Sequence, residues 1–385
     1  MSQVPFWIRW RRVLRRHPKL YQRLGQMRAR AGHAWRWLFR RLLPARSHFG
    51  PPKGWFSLVE KVRTGEVRGR VLFERQPENA PAATRLRRLA LLGQQQQTRW
   101  PFFWSHHANA RLIGPTLLLQ DERRRVAVES AYGPSFVEDD PGYRQFRRPP
   151  AVRLNGAWTS VISRWSPGFY HWFMDALPRL ALLAELPPET RIIVPAQLTA
   201  YHRDTLEWLG LTARVRPTGE EHLVIDDYYF SAPTNITGHF DPYAIAFLRR
   251  SFLERRDRSF DSPRRFYVQR VRAVRGVAND AEVADFFRAR GWAVVDMETL
   301  SLAQQIQLFA QAGEICALHG AALTNLVWCR PGCRVLELLP STYLNGVYEG
   351  VAEAVQADYD FLLCPGDTEM KALVNLKELA AKLRD

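Results

Sequence analysis

The chain has 385 residues, 46% of them hydrophobic, with Gly and Pro scattered rather than clustered; this excludes a disordered or fibrous chain and gives enough length for two hydrophobic cores. A net charge of +17 first suggests a nucleic-acid partner, but thirteen of the 55 Lys and Arg fall in residues 1–50, where no acid stands. The remaining 42 basic side chains face 38 acidic ones, so the excess belongs to an appendage and no nucleic acid is expected on the body.

From Phe6 to Pro44 this appendage mixes Arg with Trp7, Trp10, Leu14, Trp35 and Phe39, several of the apolar groups three or four apart. On a helix such spacing makes an apolar stripe flanked by cations, the pattern of a segment lying in a lipid interface. Arg interrupts every apolar run, so nothing approaches the ~20 residues that span a bilayer. No uninterrupted apolar core precedes a small-residue cleavage site, as a secretory signal would require. Residues 1–47 are therefore read as a peripheral anchor on anionic lipid at the cytoplasmic face of a bacterial inner membrane, each basic group contributing about 1 kcal/mol. The alternatives are a cytoplasmic protein with a solvated arm, or an RNA-binding tail.

Residues 51–150 give short apolar runs, at Arg70 to Phe73 and Arg111 to Gln120, without a clear period. The pattern then sharpens into a strand at Val161 to Arg164, an apolar-periodic helix from Tyr170 to Leu183, a strand at Arg191 to Pro195 and a helix from Tyr201 to Leu209 closed by Gly210. Leu223 to Ser231 reads as a strand pair or bend, Asp241 to Arg256 as a long helix, and Asp257 to Arg265 as a linker. A second cycle follows: strands at Phe266 to Gln269, Trp292 to Asp296, Ile315 to Leu318 and Arg334 to Leu338 alternate with helices at Asp280 to Arg290, Leu302 to Ala312 and Ala322 to Trp328. Alternation at this rhythm predicts an α/β fold with parallel sheets. We divide the chain into the basic segment 1–47, a Rossmann-like acceptor domain 48–256, a Rossmann-like nucleotide-sugar domain 257–366 and a C-terminal helix 367–385, with a cleft between the two domains.

Three segments carry candidate chemistry. In the run from Ile315 to Leu338 an apolar strand meets His319 and Gly320, and a helix begins; Gly permits close backbone approach, and the first N–H groups of a helix make an anion site suited to a diphosphate. Glu337, in the next strand, stands where an acid can hold ribose hydroxyls. Arg270, Arg272, Arg275 and Asn279 follow the strand FYVQ, where arginines can clamp phosphate. His171 and Asp175 share a helix face among aromatic groups, and either can serve as general base. Each segment taken alone is equally what an ordinary turn, solvated loop or helix face would give.

In combination these segments, HWFMDALPRL, the Arg-rich loop with NDAEV, and LSLAQQIQLFAQA with ALHGAALTNLVWCRPGCRVLEL, closely resemble glycosyltransferase family 61 over about residues 157 to 340. The resemblance implies a GT-B fold, inversion at the anomeric carbon and a nucleotide sugar, UDP-linked, bound by the C-terminal domain. It carries donor-binding roles to Arg270, Arg275 and Asn279, to His319, Gly320, Ala321, Thr324 and Asn325 of the HGA-LTN loop, and to Glu337. Asp175 and His171 become the catalytic pair, and Trp172 and Arg179 of the HW-D-LPR helix become acceptor or cleft residues. Gln269 and Asp280 depart from the family's Ser and Glu. The expected activity is transfer of a hexosyl or pentosyl group to a glycan or lipid-linked glycan in synthesis of a capsule or lipopolysaccharide, without a metal or other cofactor. The rivals are a polyanion- or RNA-binding protein on a Rossmann-like scaffold and an inactive nucleotide-sugar sensor. Cys316, Cys329, Cys333 and Cys364 include no CxxC pair and are read as reduced core residues.

Overall fold

The computed structural model describes residues 52–73, 101–131, 134–144, 148–233, 242–270, 276–367 and 371–383. The basic segment 1–47, Arg272 and Arg275 lie outside these residues.

The first sheet takes β1 (Gly54–Phe56), β2 (Gly69–Phe73), β3 (Phe102–Ile113), β4 (Leu118–Gln120), β5 (Arg125–Ala127), β6 (Val152–Ser160), β7 (Arg191–Pro195), β8 (Val215–Thr218) and β9 (His222–Ser231). Its order is β1-β5-β4-β3-β9-β6-β7-β8, with β2 on β3. The strands β9, β6, β7 and β8 run parallel, as the alternating pattern predicts. The other half is antiparallel around the twelve-residue β3, which pairs with β2, β4 and β9, and β1 joins its edge parallel to β5. This half comes from the stretch with no legible period, so the sheet is mixed where the sequence suggested a wholly parallel one. His222–Ser231 is one strand rather than a pair or bend, and the strand expected at 161–164 ends one residue before it begins.

The second sheet holds β10 (Arg265–Gln269), β11 (Ala293–Asp296), β12 (Glu314–Leu318), β13 (Arg334–Pro340) and β14 (Asp358–Cys364), all parallel. Its central strands are short apolar runs, as burial on both faces demands. Helices α1 (Leu58–Arg63), α2 (Ala200–Trp208), α3 (Pro242–Phe252), α4 (Asp280–Arg288), α5 (Leu302–Gln311), α6 (Val347–Ala354) and α7 (Leu376–Lys382) cover the sheets. Helix α5 opens on a reciprocal cap: Ser301 Oγ accepts from the Gln304 amide, and the Gln304 side chain accepts from Ser301 N, which satisfies two otherwise orphaned donors.

Between the sheets lies one continuous core that joins Trp172, Phe173 and Leu177 to Phe266, Ile306, Phe309, Trp328 and Val351. Its central piece is the segment read from the sequence as a helix over 170–183. That segment is an α-turn at Phe169–His171, a π-turn at Trp172–Ala176 and 3-10 turns over Leu177–Glu185. Pro178 is the physical reason: it has no N–H and its ring would strike the carbonyl four residues back, so a regular helix cannot pass it. The four cysteines are free and buried.

Candidate active site

Counted in chain order, the second sheet runs 2-1-3-4-5, so its winding reverses between β10 and β12. Connections leave such a point in opposite directions, and a ligand crevice opens at the carboxyl ends of the two strands. Arg270 follows β10 there, and His319 and Gly320 follow β12. Arg270 Nη1 donates to the His319 carbonyl at 3.1 Å, tying the two strand ends together. A Cβ on Gly320 would stand 2.4 Å from that nitrogen, so a side chain at 320 displaces the guanidinium. Gly is needed here for close approach rather than for an unusual backbone angle.

Arg270 also lines a cleft of about 540 Å³ between the second sheet and the Phe169 turn and helix α2. Phe169, Tyr201 and Asp204 form one side; Val268, Gln269, Asp296, Met297, Gln305, Ala321 and Asn325 are on the other. Phe169 meets Tyr201 edge to face at 5.0 Å, and the Tyr201 hydroxyl is fixed on the Pro167 carbonyl at 2.7 Å. Apolar rings beside amide and carboxylate groups suit a ligand with both flat faces and hydroxyls.

On the 169–185 segment, His171 Nδ1 lies 2.7 Å from Asp175 Oδ2. Asp175 is fully buried, whereas a quarter of the His171 side chain is exposed. Burial pushes the Asp175 carboxyl above the usual range, against the opposing pull of His171 and Arg179. Its second oxygen, Oδ1, has no hydrogen-bond partner among the described residues. Trp165 stacks on the imidazole at 5.6 Å, and Tyr170 meets it edge-on at 5.0 Å.

A second imidazole and carboxylate stand across the core. His319 Nδ1 is bonded to Glu337 Oε1, and the Tyr359 hydroxyl donates to Glu337 Oε2. Rings connect the two pairs: Tyr348 lies 5.1 Å from His319 and 6.1 Å, perpendicular, from Tyr170. Tyr343 flanks His319 on another side at 5.3 Å. Burial first, then the charge of Asp175 and the nearby Tyr348 and Tyr343, hold the Tyr170 hydroxyl protonated far above its ordinary range.

The remaining candidates divide. Trp172 is fully buried and donates through Nε1 to Thr205 Oγ1 at 3.0 Å, so it is a core residue and not a cleft wall; the sequence reading is corrected here, because the π-turn directs position 172 inward. Arg179 is buried and donates to the Ser231 carbonyl at 3.1 Å, away from the residues that line the 540 Å³ cleft. Asn279 is occupied with the Val374 backbone, donating to its carbonyl at 2.9 Å and accepting from its amide at 3.0 Å. Asn325 is held between Gln305 and Trp328 at the cleft edge. Thr324 is buried, its hydroxyl without a partner among the described residues. Both Glu337 oxygens are engaged by protein groups, which leaves it a different task from holding ribose. Gln269 and Asp280, the two departures from the family pattern, bond to each other at 2.8 Å, and the Tyr267 hydroxyl donates to the same carboxylate at 2.7 Å. Together they fasten the start of α4 to β10. Among the described residues no three His, Cys, Asp or Glu side chains gather in a group able to hold a metal ion.

Sequence reasoning missed Tyr170, Tyr201, Tyr343, Tyr348 and Tyr359. Tyr170 was within reach, since it adjoins His171. The others sit in stretches whose apolar pattern shows only that they pack.

Residues 169–336 match the family model for Glycosyltransferase 61. No curated protein matches the chain. The matched residues include His171, Asp175, Arg270, His319 and Gly320, the side chains that the fold gathers around the winding reversal and the core segment facing it. Over residues 169–336 the chain is similar to the glycosyltransferase 61 family.

Proposed function

We propose that the chain is an inverting transferase of GT-B arrangement that moves a sugar from a nucleotide-sugar donor, UDP-linked, to a hydroxyl of a glycan or lipid-linked glycan in cell-surface polysaccharide synthesis. The observation that carries this reading is the junction at the winding reversal, where Arg270 grips the His319 carbonyl beside Gly320. A diphosphate there would meet a guanidinium and the first N–H groups of the turn that follows Gly320, both complementary to the charge that grows as the leaving group departs. The nucleoside then has the adjoining cleft, with its aromatic wall and its ring of amide and carboxylate groups. Arg275 is proposed as a second phosphate ligand, and Ala321, Thr324 and Asn325 as the turn that shapes the site.

In the reaction the acceptor oxygen bonds to the anomeric carbon as the bond from that carbon to the diphosphate oxygen breaks, and the electron pair leaves with the nucleoside diphosphate. The acceptor's proton passes to a base. Asp175 and His171 are the two candidates that the sequence offers for it. Burial favours His171: it is the partner that solvent reaches, and Asp175 stands behind it, fixing the ring through Nδ1 and stabilising the imidazolium once the proton arrives. Residues 1–47 would hold the enzyme on an anionic cytoplasmic leaflet, where a lipid-linked acceptor resides. No helix among the described residues is long and apolar enough to cross a membrane.

A thermal-shift panel of UDP-, GDP-, dTDP- and CMP-linked sugars tests the donor reading. A ligand at 100 times its dissociation constant adds about 2.7 kcal/mol of stability. A protein that shifts with none of them is not a nucleotide-sugar transferase.

A further inference from the structure

Glu337, one residue beyond the family match at 169–336, is the centre of a buried polar chain that the transfer reaction alone does not explain. Glu337 is fully buried in β13, yet both its oxygens are engaged: Oε1 with His319 Nδ1 and Oε2 with the Tyr359 hydroxyl on β14. The register makes this possible. Glu337 pairs with Phe361, so Tyr359 sits two residues back on the same face of the neighbouring strand. Burial and the adjoining carboxylate keep the Tyr359 hydroxyl protonated far above its ordinary range, so it is a permanent donor. A carboxylate accepts and does not donate, so the ring nitrogen facing it must carry a proton, which in a neutral imidazole makes Nε2 an acceptor.

We infer that Tyr359 is a positioning residue: its hydroxyl fixes Glu337, and Glu337 fixes His319 in the form with the proton on Nδ1, so that Nε2 accepts a hydrogen bond from a hydroxyl of the donor sugar. An acceptor nitrogen suits a sugar hydroxyl and repels a phosphate oxygen. The residue thus divides its work: its carbonyl, held by Arg270, belongs to the phosphate side, and its ring, flanked by Tyr343 and Tyr348, reads the sugar. The sugar-reading half rests on the transferase reading above; the chain from Tyr359 through Glu337 to His319 does not.

The experiment is nitrogen NMR of the full chain labelled with ¹⁵N-histidine, with His319 assigned by its loss in His319→Asn. Wild type should show His319 protonated at Nδ1 with a downfield proton slow to exchange. Tyr359→Phe should move its nitrogens toward the form protonated at Nε2, and Glu337→Gln should move them as well. An unchanged His319 in Tyr359→Phe overturns the inference whatever Glu337→Gln shows, and so does a wild-type ring protonated at Nε2, a measurement that needs no variant to fold. In parallel, UDP affinity should change less than about 2-fold in Tyr359→Phe, while hydrolysis of the best-binding sugar among UDP-glucose, UDP-galactose, UDP-N-acetylglucosamine and UDP-xylose falls by up to about 10²-fold, the cost of a slightly misplaced group. A merely structural Tyr359 would lower both together or neither, which would overturn the sugar-reading role. If wild type binds none of these nucleotides, the transferase reading fails while the histidine spectra still decide the positioning chain.

Discussion

Replacing Asp175 by Asn separates catalysis from stability, because the structure predicts opposite signs for the two. The side chain keeps its shape and can still accept from His171 Nδ1, now across a neutral bond in place of the 2.7 Å contact with a carboxylate. What disappears is the negative charge behind the imidazole at the moment it takes the acceptor's proton. General-base assistance contributes about 10²–10⁴-fold, which corresponds to about 2.7–5.5 kcal/mol at 1.36 kcal/mol per decade. The stability effect runs the other way. Burial raises the folded-state pKa of Asp175 above the unfolded value of 3.8, so the stability linked to its protonated form is present below that value and is lost as pH rises through the folded pKa. Where the group is ionised its charge is a burden, with one oxygen buried and lacking a partner among the described residues, and Asn removes that charge. Asp175→Asn should therefore lose 10²–10⁴-fold in transfer rate, keep its UDP affinity, and melt at or above the wild-type temperature. Paired single-turnover kinetics and calorimetry read all three. A variant that melts lower and loses UDP binding in proportion to its rate would make Asp175 a structural residue and refute the argument; full activity in Asp175→Asn beside an inactive His171→Ala would leave His171 working without it.

The imidazole of His202 accepts at Nδ1 from Thr199 and is fully buried, and burial lowers its pKa from 6.5 to about 4; the unfolded chain then binds more protons across that window, so the urea midpoint should fall between pH 6.5 and pH 4, and less steeply in His202→Gln. A pH-independent midpoint there would contradict it. Trp172→Phe removes the indole bond to Thr205 from the core and should cost about 1–3 kcal/mol in calorimetry with UDP affinity unchanged; lost affinity at unchanged stability would return Trp172 to the cleft. Deleting residues 1–47 should abolish salt-sensitive binding to vesicles containing phosphatidylserine while leaving donor hydrolysis intact, and equal vesicle binding before and after truncation would end the anchor proposal.

The second sheet was legible because short apolar runs alternate with amphipathic helices, as in Leu302 to Gln311 and the strand Ile315 to Leu318 that follows it. The antiparallel half of the first sheet was not: the longest pairing of β3 is with β9, more than a hundred residues away, as at Asp227 opposite Ala108, and no local period encodes such a pairing. Within the site, Arg270, His319 and Gly320 could be found because a strand's carboxyl end and a Gly mark them. The roles of Trp172 and Glu337 could not. Trp172 turns inward because Pro178 breaks the helix into a π-turn, and Glu337 is taken by a tyrosine whose position depends on strand register. Spacing placed His171 and Asp175 together; only burial showed which of the two solvent can reach.

The central claim, that a nucleoside diphosphate occupies the junction of β10 and β12, is tested most directly by calorimetric titration of UDP into wild type, Arg270→Ala and Gly320→Ala. The account predicts binding to wild type, weakened by about 1.5–3 kcal/mol in Arg270→Ala, the range for a hydrogen bond to a charged group, and weakened in Gly320→Ala too, where the new methyl displaces the guanidinium. UDP affinity equal in all three proteins would contradict it.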